Sequence, residues 1–276
     1  MTVRSTNTVM ICVLYYPAYA RSAFAYTRYL LKKTGARKVV FVINGDLIAN
    51  GDVDPDLVAS GRAEVIRHDN VGLEFGAYQR GLDHVRQEDF DSVVFYNDTV
   101  GRHDPFGSIY LMRFAEEIER GLCGKRAIGQ IDSRERRVSI ANISGNRWLR
   151  TNFLGMDRQA LETLEFQVFR PDISELVVGG PEKETFFHHD LDVTLQADLS
   201  TWLFGGDGLS WYGARPLTAE NCQRMAFKAR SILQEWFLSL RLDEHKVAIA
   251  SPELSMAERV LDRATVRLPW RLRPFL

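Results

Sequence analysis

Three short, unbroken apolar runs constrain this chain most: Val9 to Leu14 (VMICVL), Val39 to Ile43 (VVFVI) and Ser92 to Tyr96 (SVVFY). A strand with one wet face alternates apolar and polar residues, whereas a strand covered on both faces reads as a continuous apolar run. Between the runs lie segments with helical spacing, Arg21 to Lys33 closed by Gly35, and Phe75 to Arg86 with Tyr78, Leu82 and Val85 on one face. Ala63 to Arg67 reads as a shorter strand, Ser108 to Arg120 as a helix and Ala127 to Ile131 as a further strand. Strands alternating with helices specify an α/β fold, a mostly parallel sheet flanked by helices.

The second half is less regular. Trp148 to Met156 reads as an aromatic strand or turn, Arg170 to Thr185 as a surface loop around Gly179-Gly180-Pro181, and Phe186 to Leu203 as one continuous helix. Glu220 to Leu242 carries Met225, Ile232, Leu233, Trp236, Phe237 and Leu240 at amphipathic-helix spacing. The expected organisation is one compact unit, a core over residues 1–215 with a C-terminal helical extension over 216–276.

Lys plus Arg number 35 against 36 Asp plus Glu, a net charge of −1, so no global field recruits nucleic acid and none is expected as a partner. Cys12, Cys123 and Cys222 form neither a disulfide framework nor a zinc cluster, which suits a reducing, cytoplasmic compartment. Arg4, the run Val9 to Tyr16 and Ala18-Tyr19-Ala20 outline a signal peptide, but the run is short and ends at Tyr15-Tyr16-Pro17. No stretch approaches the roughly 20 apolar residues that span a bilayer.

Ligands of open α/β sheets bind outside the carboxyl ends of the strands. The four predicted strands there end in Tyr15-Tyr16, Asn44-Gly45-Asp46, Asp69-Asn70-Val71-Gly72 and Asn97-Asp98-Thr99. The absence of GxGxxG after the first strand and of GxxxxGK[ST] anywhere disfavours dinucleotide dehydrogenases and P-loop NTPases.

The stretch Asn70-Val71-Gly72-Leu73-Glu74-Phe75-Gly76-Ala77-Tyr78-Gln79-Arg80-Gly81-Leu82, followed by Phe95-Tyr96-Asn97-Asp98-Thr99, resembles the nucleotide-sugar glycosyltransferases of the GT-A (Rossmann-like) fold. More narrowly it is similar to bacterial surface-polysaccharide transferases of the rhamnan synthesis protein F type. The resemblance implies a donor site drawn from Tyr15, Tyr16, Asn44, Asn70, Gly72, Phe75, Gly76, Tyr78, Asn97 and Asp98. Glycines at 72 and 76 would let a turn approach a ligand closely, and the N–H groups of the next helix would face a diphosphate. In the resembled enzymes an acidic motif at the fourth strand touches the ribose and a divalent cation, Mg²⁺ or Mn²⁺. Here Asp98 is the acid and Asn97 holds the place of another, which weakens hard-cation binding. Taken singly, Asn70 and Asn97 equally suit strand-end caps and the glycines suit turns.

Two later stretches extend the resemblance. Thr151 to Arg158 is similar to the segment lining the acceptor side, which would place Asn152 there; a core strand is the alternative. Phe186-Phe187-His188-His189-Asp190-Leu191-Asp192 is similar to the aromatic, Glu-Asp, x, Asp stretch of inverting family 2 transferases, with His189 where Glu is usual. Asp190 is then the expected base, with Asp192 on the acceptor side or serving as a helix N-terminal charge. His188 and His189 are candidate metal ligands or surface residues. Glu235 on the late helix is the competing carboxylate.

What the resemblance implies is transfer of a sugar, rhamnose or galactofuranose among others, from a UDP or dTDP donor to a glycan or lipid-linked glycan acceptor of the bacterial envelope. Retaining transfer, a nucleotidyltransferase and a catalytically silent glycan or nucleotide-sugar binding module are the alternatives. The tail sets Arg259, Arg263, Arg267, Arg271 and Arg273 against Asp262, interleaved with Val260, Leu261, Trp270 and Phe275. That mixture suits peripheral contact with the inner face of the cytoplasmic membrane, or packing on the protein's own surface.

Overall fold

The computed structural model describes residues 7–100, 107–205, 210–211 and 213–266, without the side chain of 152. The first half runs β1 (Thr8–Leu14), α1 (Pro17–Thr34), β2 (Lys38–Asn44), a 3-10 turn (Asn50–Asp52), α2 (Pro55–Ala59), β3 (Ala63–His68), α3 (Leu73–Val85), β4 (Ser92–Asn97) and α4 (Ser108–Glu119). The second half runs β5 (Arg126–Ile140), β6 (Ile143–Asp157), α5 (Arg158–Thr163), α6 (Pro171–Glu175), α7 (Lys183–Phe186), α8 (Val193–Phe204), α9 (Cys222–Glu244), β7 (Ala248–Ala250) and α10 (Met256–Val266).

The seven strands form one sheet in the order β3-β2-β1-β4-β6-β5-β7. β3, β2, β1 and β4 are mutually parallel, β6 runs antiparallel to β4 and β5, and β7 is parallel to β5. The result is a mixed, mostly parallel sheet flanked by helices, as the apolar runs required. Every residue of β1 is buried, and its side chains divide by parity. Met10, Cys12 and Leu14 pack with Tyr26 and Leu30 of α1 and Phe114 of α4. Val9, Ile11 and Val13 pack on the other face with Phe75, Tyr78 and Leu82 of α3. Emptying one such position, Ile11→Ala for instance, is worth about 2–5 kcal/mol.

Local signals set the element ends. Pro17 opens α1 at a position needing no N–H, and Gly35 closes it with φ 64°. Asp157 caps α5 by accepting from the Ala160 N–H at 2.7 Å. β5 and β6 are 15 residues each, joined through Ala141 and Asn142, both at positive φ. They extend the expected strands at Ala127 and Trp148 into a long hairpin. Its outer part, Val138 and Ile140, packs with Leu199 of α8 and Leu233 and Trp236 of α9 in a third core cluster.

Phe186 to Leu203 is not one helix. Phe187 turns extended at the end of α7 (φ −108°, ψ 152°), and Val177 pairs with it in an isolated antiparallel bridge. Asp192 then starts α8 by accepting from the Leu195 N–H at 2.9 Å. The 170–185 segment holds α6 and the start of α7 rather than a bare loop. The 216–276 extension is not purely helical either, since β7 joins the sheet beside β5. No described helix is long and apolar enough to cross a membrane.

Candidate functional site

β1 lies between β2 and β4, so the chain's connections leave it in opposite directions and open a crevice at its carboxyl end. A cleft of about 560 Å³ occupies that place. Its floor carries Tyr15, Tyr16, Asn44, Asn70, Asn97 and Asp98, six of the ten residues expected on the donor side. Its opposite wall comes from the β5–β6 hairpin, α8 and α9.

Asp98 organises the floor. Its Oδ2 accepts the backbone N–H groups of Tyr15 at 2.7 Å and Tyr16 at 2.5 Å, which ties the end of β4 to the β1–α1 turn. Burial pushes its pKa up to about 6, and the two backbone donors oppose that rise. Asn97 folds over Thr99, accepting from its N–H at 3.0 Å and its hydroxyl at 2.6 Å. Asn44 Nδ2 donates to Asn70 Oδ1 at 2.8 Å, clipping the ends of β2 and β3 together above His68. Tyr15 and Tyr16 meet edge to face at 4.8 Å.

Asp98 does not fit the role of cation ligand well. One carboxylate oxygen already holds two backbone donors, and the neighbouring Asn97 oxygen is taken by Thr99. His188, His189 and Asp190 have donor atoms within 4.8 Å of one another and could together hold a metal. None of the three is among the residues lining the cleft.

Gly72, Phe75, Gly76 and Tyr78 also lie off the cleft, a correction to the donor-site expectation. A Cβ on Gly72, at φ 74°, would fall 2.4 Å from the Phe169 ring, and one on Gly76 would fall 1.8 Å from the Val71 carbonyl oxygen. These glycines serve close packing of the turn into α3. Phe75 and Tyr78 are core residues. The Tyr78 hydroxyl donates to the Thr151 carbonyl at 2.9 Å and so fixes β6.

The same Thr151 reaches the opposite wall. Its N–H and hydroxyl donate to Glu235 Oε2 at 2.9 and 3.0 Å. Glu235 is partly buried and lines the cleft; desolvation raises its pKa to about 7, against the Thr151 donors and the Lys228 charge. Glu74, at the first turn of α3, is raised for the same reason and is opposed by Lys228 and Ser231. Arg224, Lys228, Ser231 and Glu235 follow at spacings of four, three and four on α9, which puts them in one stripe facing the cleft.

Asp190, by contrast, has a side chain 67% exposed beside the two histidines. Asp192 caps α8, about 15 Å of helix from Trp202 in the cleft. Neither carboxylate is among the residues lining the cleft, whereas Glu235 is. Asn152 lies on β6, but its side chain falls outside the described residues.

Sequence reasoning missed the aromatic wall. Trp148, Trp202, Trp211 and Trp236, four of the chain's five tryptophans, all line this cleft. Trp202 and Trp211 stack at 6.0 Å with 20° between planes, and Lys228 lies 5.8 and 5.9 Å from their centroids. Arg134 sits 4.3 Å over Trp236 and pairs with Asp198; Arg150 pairs with Asp132 at 2.7 Å. The signal available was the spacing of Arg224, Lys228, Ser231 and Glu235, which sets four polar residues on one side of α9. The cleft thus offers aromatic faces, fixed cations and a carboxyl near neutrality.

Comparison with protein-family models finds no match, and no curated protein matches the chain.

Proposed function

We propose that this chain is a GT-A-type, inverting glycosyltransferase acting from a UDP or dTDP sugar on a hydroxyl of a bacterial surface glycan. One observation carries the reading: a carboxyl held near pKa 7, Glu235, shares a strand-end cleft with stacked tryptophans and cationic side chains. Tryptophan faces suit the C–H face of a sugar ring, and Tyr15 and Tyr16 suit a nucleobase. Lys228 and Arg224 supply positive charge for a diphosphate.

In this reading the acceptor hydroxyl gives its proton to ionised Glu235 as its oxygen bonds to the donor's anomeric carbon. The bond from that carbon to the diphosphate breaks, its electron pair leaving with the nucleotide. Thr151 holds the Glu235 carboxyl in place through two hydrogen bonds to one oxygen, and Tyr78 holds Thr151. One Asp98 oxygen already accepts from two backbone N–H groups, so in this reading Lys228 and Arg224 carry the stabilisation of the leaving diphosphate.

A silent nucleotide-sugar binding module is the second reading, favoured by that same commitment of Asp98 and Asn97 to local structure. Melting of the protein with UDP, dTDP and GDP sugars identifies the donor, a ligand at 100 times its Kd stabilising by about 2.7 kcal/mol. Acceptor-dependent release of nucleoside diphosphate supports the enzyme. Donor binding without release at any acceptor supports the silent module.

A further inference from the structure

A surface helix ordinarily turns its apolar side inward. α10 does the reverse. Its acidic residues and Thr265 face the protein: buried Asp262 accepts from the Gly107 N–H at 3.0 Å and the Tyr110 N–H at 2.8 Å, capping the start of α4. Thr265 accepts from the Ser108 N–H at 2.9 Å, and Glu258 pairs with Arg113. Its apolar residues point away: Met256 is 86%, Val260 65% and Leu261 56% exposed. Helical spacing puts Met256, Val260 and Leu261 on one outward stripe, with exposed Arg259 and Arg263 along its border.

We propose that this outward face of α10 rests on an anionic membrane surface. Charge selects that occupant. The two acidic residues of α10 are spent on the α4 dock, so what remains outward is apolar and basic. The sequence beyond continues the pattern with Arg267, Trp270, Arg271 and Arg273 and without another acidic residue. An apolar stripe bordered by arginines buries its stripe at the acyl boundary while the guanidinium groups meet lipid phosphates.

Asp262 caps the first turn of α4, the helix that follows β4 in the chain, and β4 ends at Asn97, which with Asp98 belongs to the cleft floor. Membrane contact itself stands on α10 alone and is independent of what the cleft does.

Flotation of the full chain with vesicles tests it, using phosphatidylcholine with and without phosphatidylglycerol. Binding to the phosphatidylglycerol vesicles, weak binding to phosphatidylcholine alone and release by salt are expected. Val260→Ser with Leu261→Ser should weaken binding roughly tenfold or more while melting stays unchanged, because both side chains are exposed. Arg259→Gln with Arg263→Gln should weaken it on anionic vesicles only. Absence of binding by the unaltered chain, or undiminished binding by either double variant, overturns the proposal. So does a dimer in solution that the Val260→Ser, Leu261→Ser variant dissociates, since the face would then belong to a second copy.

Discussion

Asp98 shows how a residue expected to meet a ligand can be held by the fold. Two backbone N–H groups converge on its Oδ2, so Asp98→Ala strands both beside a buried space and is expected to cost about 2–4 kcal/mol in urea unfolding. Asp98→Asn keeps an accepting oxygen and should lose far less. The pH dependence has a definite sign. Burial raises the Asp98 pKa from 3.8 to about 6, so the folded state holds the proton longer than the unfolded chain. That advantage is complete below about pH 4 and is lost as the pH rises through about 6. Asp98→Asn should flatten the fall in stability over that window, and an unchanged slope would assign it to other groups. The strand-end positions of Tyr15, Asn44 and Asp98 were legible from the sequence because apolar runs precede them, and that of Asn70 because a shorter strand ends just before it. The choice between Asp190 and Glu235 as proposed base was not, because what separates the two carboxyls, exposure against burial, arises only on folding.

At the scale of elements, close packing decides what the glycines do. Gly76→Ala would drive a Cβ into the Val71 carbonyl, which is backbone and cannot turn aside, so a loss of about 3 kcal/mol or more is expected by thermal melting. A folded Gly76→Ala protein with native stability would show that the turn into α3 is looser than its geometry. The α10 dock is equally testable: Asp262→Ala removes the acceptor for two N–H groups of α4 and should cost about 1–2 kcal/mol, with earlier proteolytic cleavage in α10. Parallel strands were readable because burial on both faces writes an unbroken apolar run, as in VMICVL. The long hairpin was not, because its turn is Ala141-Asn142 rather than Asn-Gly, and its strands are polar from Asp132 to Arg137. The break before α8 was hidden for a related reason: Asp192 reads equally as a helical residue and as a cap.

Over the whole molecule, the sheet places one cleft at its carboxyl edge and α9 supplies the wall that faces it. Four tryptophans distant in sequence meet there only because the hairpin, α8 and α9 share a third core cluster. No spacing rule in the sequence brings Trp148 to Trp236 at 5.0 Å. Under the proposed function, Glu235 takes a proton from a bound acceptor. A base works in its ionised form, so transfer should rise with pH through about 7 and level above it. The most direct measurement is the pH profile of acceptor-dependent nucleoside diphosphate release for the native chain, Glu235→Gln and Asp190→Asn. The result expected is a fall of roughly 10²–10⁴-fold in kcat for Glu235→Gln, loss of the limb near pH 7, unchanged donor affinity and a near-native Asp190→Asn protein. Near-native transfer by Glu235→Gln with an inactive Asp190→Asn protein would contradict it.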